Sequence, residues 1–361
     1  MQNVFENPAP WLAGHGPHED VVLGCLGYLS RNLAEFPFPE RCDDEERRTI
    51  EDRVRQAASQ THLFRDAQYL AADDFPPYGV RFLAERRLVI DKAPTLMQGG
   101  GVLVTRDFSA ALHINAQDHI CVCAMAPGLQ PQELWALLDR VDSELSTELD
   151  FAFNKRHGYL TASLGLAGTG LRLMAVLHLA GLIATQQFVD IERQVRERRH
   201  TVDRPWDAAQ NGRDGICCLS NAATLGSSEQ GLAFEVAQLA SEVATRERAA
   251  RGRMTEDATR RVADRVGRAL ALARGARLLD CEDALDMVSS VRLGLALGLL
   301  EGDDMQSLNS LLVEAQPGHI QAGADQPCDD LTLSMLRADL FNARFQRGPT
   351  VKSPTKYSNR C

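Results

Sequence analysis

The chain lacks any uninterrupted apolar run of about 18 residues, so no membrane-spanning helix is expected. It also lacks an excess of positive charge. Lys and Arg number 39 against 49 Asp and Glu, a net charge of −10, which argues against broad attraction to nucleic acid or anionic membrane. Its nine cysteines include no Cys-x-x-Cys pair, so the ligand spacing of a zinc site is missing. Cys121/Cys123 and Cys217/Cys218 fall inside apolar runs instead, the pattern of buried free thiols in a reducing, cytoplasmic setting. The first residues, Met-Gln-Asn-Val-Phe-Glu-Asn, lack the basic-then-apolar order of a secretory leader. No fixed-period repeat and no low-complexity block interrupts the chain.

What is present suits a soluble globular protein. Hydrophobic residues make up 44% and charged residues 24%, and 361 residues suffice for one large domain and a smaller one. Residues 102–125 read as strands, with His119-Ile-Cys-Val-Cys-Ala-Met125 apolar on both alternating faces and so covered on both sides. Pro131 opens an amphipathic helix whose buried stripe is Leu134, Leu137, Leu138, Val141, Leu145 and Leu149. A second helical run is expected from Leu171 to about Thr185, apolar nearly all round. Residues 193–204 are polar and basic, 205–214 read as a loop, and Ile216 to Leu219 as a short buried strand. Ser227 with Gln230 fits a capping box for a helix to about Arg251.

Beyond Gly252 only helices are expected. Thr255 caps one and Asp280 another that runs to about Leu300. Leu308, Leu311 and Leu312 mark a third, and Leu331, Met335, Leu336 and Leu340 a fourth. The division is residues 1–250, residues 251–345, and a tail, 346–361, that should be disordered.

Several motifs recur in a fixed order. They are Phe36-Pro37-Phe38-Pro39, Glu85-Arg86-Arg87-Leu88, the box Asn115-Ala116-Gln117-Asp118-His119, and Leu149-Asp150-Phe151-Ala152-Phe153. Gly168-Thr169-Gly170-Leu171-Arg172, Ser220-Asn221, Val291-Arg292-Leu293-Gly294 and Gln316-Pro317-Gly318-His319 follow. Together they resemble the ATP:guanido phosphotransferases, and among them the bacterial protein-arginine kinases. The resemblance implies an α+β, glutamine-synthetase-like catalytic domain, with an antiparallel sheet flanked by helices, and an all-α C-terminal domain.

It also implies a chemistry with two demands. Triphosphate charge must be neutralised by Mg²⁺ and by arginines whose planar forks grip phosphate oxygens. The guanidinium, protonated beyond about pH 12, needs a carboxylate to orient it and take a proton. Against the family pattern, both box glutamates are replaced, by Ala116 and Gln117, the latter at the base position. The Ser-Ser-Arg-Ile-Arg segment becomes Gly24-Cys25-Leu26-Gly27-Tyr28, removing two phosphate-binding arginines. The arginine after the box becomes Cys121, and a histidine near the nucleotide becomes Arg87. Arg172 alone stands where an ATP-binding arginine is expected, and the guanidinium-side Cys-Pro-Thr-Asn becomes Ser163-Leu164-Gly165-Leu166.

A cation about 4 Å from a phosphate contributes roughly 4 kcal/mol at an effective dielectric of 20. Losing a general base costs about 10²–10⁴-fold. The two losses together point to a catalytically silent homologue, a pseudokinase with no cofactor that acts by protein contacts. Its expected partners are itself or an intact arginine kinase. The alternative is a divergent active kinase using Mg-ATP with Arg87, Arg172 and arginines of 193–204. In the helical part, the family's phosphoarginine-recognising Arg-Asp-x-x-Arg-Ala is reduced to Arg337-Ala338.

Overall fold

The computed structural model describes residues 9–89, 99–205, 215–302, 305–324, 326–346 and 348–351. Its centre is an eight-stranded antiparallel sheet. In chain order the strands are β1 (Val22–Arg31), β2 (Gln68–Ala71), β3 (Gly101–Val104), β4 (Ala110–Ile114) and β5 (Ile120–Pro127). After a separate hairpin of β6 (Phe153–Asn154) and β7 (Gly158–Tyr159) come β8 (Leu171–His178), β9 (His200–Asp203) and β10 (Ile216–Asn221). Their spatial order is β2-β3-β4-β5-β1-β8-β10-β9. Strand β1 is buried over its whole length, and β5 and β8 are buried except at Ala126, Pro127 and Arg172, as a sheet covered on both faces requires.

Helices α1 (Asp44–Gln60), α2 (Gly79–Glu85), α3 (Pro131–Leu145), α4 (Ala180–Ala184), α5 (Phe188–Glu197) and α6 (Glu229–Gly252) belong to the same part of the chain. On one sheet face, Cys25, Leu29, Val122, Leu173 and Leu219 pack with Leu134, Leu138 and Val141 of α3 and Val236 and Ala240 of α6. The approach is close at Gly27, where an added Cβ would lie 2.7 Å from a methyl of Leu138. The opposite face carries Leu26, Tyr28, Cys121, Cys123, Met174 and Cys218. It shares one hydrophobic cluster with the C-terminal helices. No disulfide links the eight described cysteines, six of which are buried.

Those helices are α7 (Glu256–Gly275), α8 (Cys281–Ala296), α9 (Met305–Glu314), α10 (Pro317–Ala322) and α11 (Asp330–Phe345). Thr255 and Asp280 cap α7 and α8, their side chains accepting from Ala258 and Asp283 amides. A two-stranded ribbon joins β11 (Leu300–Glu301) to β12 (Thr350–Val351). That ribbon, and the bonds from Arg274 to the carbonyls of Phe345 and Pro349, place part of the segment expected to be disordered. Residues 352–361 lie outside the described residues, as do 206–214 of the expected loop.

The structure corrects several expectations. Leu171 to His178 is a strand followed by the short α4, because an apolar run without alternation suits a central strand as well as a buried helix. The cap of α6 is Ser228, one residue later than expected, whose hydroxyl accepts from Gly231 N. Helix α8 stops at Ala296, where Gly298 adopts φ +68° and Leu299 N returns to the Gly294 carbonyl. Helix α10 was not anticipated; the expected fourth helix is α11, on which Leu331 and Met335 are half-exposed. Among the described residues no helix is long and apolar enough to cross a membrane.

Candidate functional site

The box forms the turn between β4 and β5. Asn115 sits at φ +51°, its amide N–H donates to the His119 carbonyl, and its side-chain amide donates to the Arg47 and Gly99 carbonyls. Asn32 then clamps the turn from β1's end. Its Nδ2 lies 2.6 Å from Asp118 Oδ1, and its Oδ1 accepts from His119 N at 2.9 Å. Asp118 also accepts from Ala162 N at 2.7 Å, yet burial still raises its carboxyl above the ordinary range. His119 Nδ1 accepts from Leu33 N at 3.0 Å, so any ring proton sits on Nε2. Burial brings its pKa down to about 4, and the ring is neutral.

Gln117 does not share this order. Gln117 is instead exposed at the tip of the turn, and among the described residues nothing hydrogen-bonds its side chain. The reason is the turn itself: residues 115, 118 and 119 make the hydrogen bonds that hold it, and the base position is left in solvent.

Strand register sets which residues share the face turned toward the C-terminal helices. Tyr28 lies opposite Arg172 on β8 and Cys123 on β5, and Leu26 lies opposite Met174 and Met125. Leu26, Tyr28, Met174 and Cys121 are 0%, 3%, 7% and 4% exposed, so the face is filled rather than open. Burial pushes the Cys121 thiol up to about 12, and the Cys25 thiol, on the opposite face, likewise to about 12. Gly24 lies beneath Trp11, whose carbonyl would be 2.6 Å from an added Cβ.

Arg87 follows α2 with φ +66°. Its carbonyl accepts from Tyr28 Oη at 2.9 Å and Cys123 Sγ at 3.2 Å, and its guanidinium donates to the Pro205 carbonyl at 2.5 Å. Arg172 is 42% exposed and reaches Ser220 Oγ at 3.2 Å and Asp203 at 3.8 Å. Thr201 completes that network, bonding Asp203 at 2.8 Å and Ser220 at 2.9 Å. Asp203 was missed in the sequence, where it read as part of a basic segment. Only the β9–β10 register puts its carboxylate beside Arg172.

The basic segment does not gather on this face. Arg193, Arg196 and Arg198 pair with Asp190, Glu192 and Glu242 around α5 and α6. At the guanidinium-side position, Leu164 is 91% exposed. Arg337 is buried in the helical part, with Nε on the Ala315 carbonyl at 2.6 Å and Nη1 on the Leu279 carbonyl at 2.8 Å. Ala338 beside it is fully buried.

Comparison with known proteins fits this architecture. A model described as "ATP:guanido phosphotransferase, C-terminal catalytic domain" matches residues 49–250, and one described as "Protein-arginine kinase McsB C-terminal domain" matches 259–357. The chain belongs to the ATP:guanido phosphotransferase family. It is 32% identical over 345 residues to the protein-arginine kinase of Halalkalibacterium halodurans, covering 95% of this chain and 97% of that one. It is 29% identical to the protein-arginine kinase of Bacillus subtilis, with 86% of each covered. A crystal structure of lombricine kinase shares the fold, with a TM-score of 0.57 at 21% identity over 68% of this chain and 71% of that one.

Proposed function

We propose that this family member is catalytically silent and works as a regulatory or scaffold protein. The observation that carries the reading is the bond from Tyr28 to the Arg87 carbonyl across a filled sheet face. Two residues that stand at positions of family phosphate-binding arginines, Leu26 and Tyr28, are core side chains here. The residues present do not suit a magnesium triphosphate. Arg172 is the one half-exposed cation that register places on the central strands of this face, and Asp203 already shares it. A carboxylate near a triphosphate adds repulsion. At the base position, Gln117 is in solvent and has no carboxylate to take a proton from a guanidinium.

Partners are part of the proposal: a second copy of this chain, or an intact protein-arginine kinase. The phosphoarginine-type position is weakened as well, since two donors of Arg337 already serve backbone carbonyls. Calorimetric titration with Mg-ATP, and with phosphoarginine as a control, tests the reading. No saturable heat and an unchanged melting temperature are expected. A saturating rise of several degrees, or transfer of label from ATP to an acid-labile phosphoarginine, would establish the divergent active kinase instead. Sedimentation of the chain alone and with an intact protein-arginine kinase tests the partner claim. Migration as an unassociated monomer in both samples refutes it.

A further inference from the structure

On one side the sheet ends at β2, and the backbone there is open. Ala72 N donates to the Gly100 carbonyl at 2.9 Å, one step beyond the paired residues Ala71 and Gly101. Bonded and non-bonded pairs alternate along an antiparallel ladder. Leu70 and Gln68 therefore bond β3, while the N–H and C=O groups of Tyr69 and Ala71 point outward. Among the described residues nothing bonds those outward groups, and Gln68 to Ala71 are half-buried or exposed. The strand itself, Gln-Tyr-Leu-Ala, carries neither the charge nor the proline that commonly guards an edge.

A groove of about 420 Å³ opens between α1 and this side of the sheet, lined by Arg55, Gln56, Ser59, Ala67 and Tyr69 among others. The Arg55 guanidinium lies 4.0 Å over the Tyr69 ring, and Tyr69 Oη donates to Glu51 at 2.5 Å. Those two contacts fix the ring on the α1 side of the edge.

The charge around the edge selects its occupant. Asp66 precedes β2, and Asp73 and Asp74 closely follow it, all three exposed. The carboxylates of Asp73 and Asp74 form no ion pair among the described residues, nor does that of Asp52 on the groove wall. Self-pairing is opposed by these acids. Two copies joined antiparallel about Leu70 would turn Asp66 of each toward Asp73 and Asp74 of the other, and like charges across a strand pair are destabilising. A strand with basic ends meets the same acids favourably.

We propose that β2 is a docking edge for an extended segment of a partner protein, a few uncharged residues flanked by Lys or Arg. The segment adds to the sheet by bonding the outward groups of Tyr69 and Ala71, with alternate side chains entering the groove. Its basic ends meet Asp66 on one side and Asp73 and Asp74 on the other. Strands β3, β4 and β5 separate this edge from β1, so the proposal stands apart from the reading of the nucleotide face.

The test is calorimetric titration of the full chain with the peptide acetyl-Arg-Thr-Val-Thr-Val-Arg-amide. Saturable one-to-one binding with Kd below about 1 mM is expected. Exchanging both arginines for glutamate, or methylating every backbone nitrogen, should each weaken the peptide about tenfold or more. Ala71→Pro removes an outward donor at a residue whose φ is already −68°, and it spares the ladder to β3. It should weaken the peptide by about the same factor with an unchanged melting temperature. Asp73→Asn combined with Asp74→Asn should weaken it about three- to tenfold. The methylated peptide reads the same backbone bonds on the native protein, so the test survives a poorly folded Ala71→Pro. Absence of saturable binding overturns the proposal. So does undiminished binding of the glutamate or methylated peptide, or undiminished binding by the folded proline or double-asparagine protein. A dimer of the chain that Ala71→Pro dissolves would place a second copy on the edge, and would overturn it too.

Discussion

The hydroxyl of Tyr28 donates to the carbonyl of Arg87 across 2.9 Å, joining the central strand of the sheet to the end of α2. Arg87 holds a left-handed backbone conformation, which for a non-glycine residue needs support from its surroundings. Tyr28 supplies part of that support and also fills the face where the family has an arginine. Tyr28→Phe should therefore destabilise the protein by about 1 kcal/mol through the lost hydrogen bond, with Cys123 retaining the carbonyl. Tyr28→Ala should cost about 3–5 kcal/mol through the cavity it leaves. Urea midpoints of both variants measure this, and an unchanged midpoint in Tyr28→Phe would show that the hydroxyl contributes nothing.

Restoring the missing charge should not restore the pocket. Leu26→Arg with Tyr28→Arg places two guanidinium groups where the native side chains are almost fully buried. Unpaired buried charge costs several kcal/mol per ion even after relaxation. The double variant should lose much of its cooperative unfolding transition and gain no Mg-ATP-dependent rise in melting temperature. Such a rise, seen by thermal denaturation, would mean the face can open.

Glu85 ties α2 to the C-terminal helices. Its carboxylate accepts from Gly318 N at 2.7 Å, His319 N at 3.0 Å and His319 Nδ1 at 2.8 Å, while Phe82 stacks on the His319 ring at 4.1 Å. Glu85→Ala leaves two backbone N–H groups at the start of α10 without their acceptor. A loss of about 2–4 kcal/mol follows, and His319→Ala, which spares the backbone bonds, should cost less. Denaturant unfolding followed by two probes, one in each part of the chain, reads whether the parts separate.

How much of this was legible in the sequence depends on how local each interaction is. Thr255 and Asp280 announced their helices because a cap and its target are three residues apart. The motifs containing Glu85 and His319 were each visible, but nothing in the sequence paired positions 234 residues apart. Asn32 and the box, 86 residues distant, are the same case. The strand at Leu171 was misread because a run that is apolar on every face carries no periodicity to distinguish strand from helix. The exposure of Gln117 was hidden for another reason: a turn's tip and its anchors alternate within five residues, and only the anchors' partners reveal which is which.

Stability should fall steeply on mild acidification, and two histidines give the direction. Burial holds His113 down to about 4, where its Nε2 meets the Leu88 carbonyl at 2.6 Å, and holds His119 down to about 4 within the box turn. Unfolded, each titrates near the ordinary value of about 6.5. Between these two values the unfolded chain binds more protons than the folded one, so unfolding becomes easier as pH drops. The contribution is fully present above about pH 6.5 and is lost progressively down to about pH 4. Each residue accounts for on the order of 3 kcal/mol across that window. His119→Asn removes one titrating group and should flatten the slope of unfolding free energy against pH by close to one proton. Urea denaturation at half-unit steps from pH 7 to pH 4 supplies the slope, and an unchanged slope in the variant would show that His119 is already charged in the folded protein.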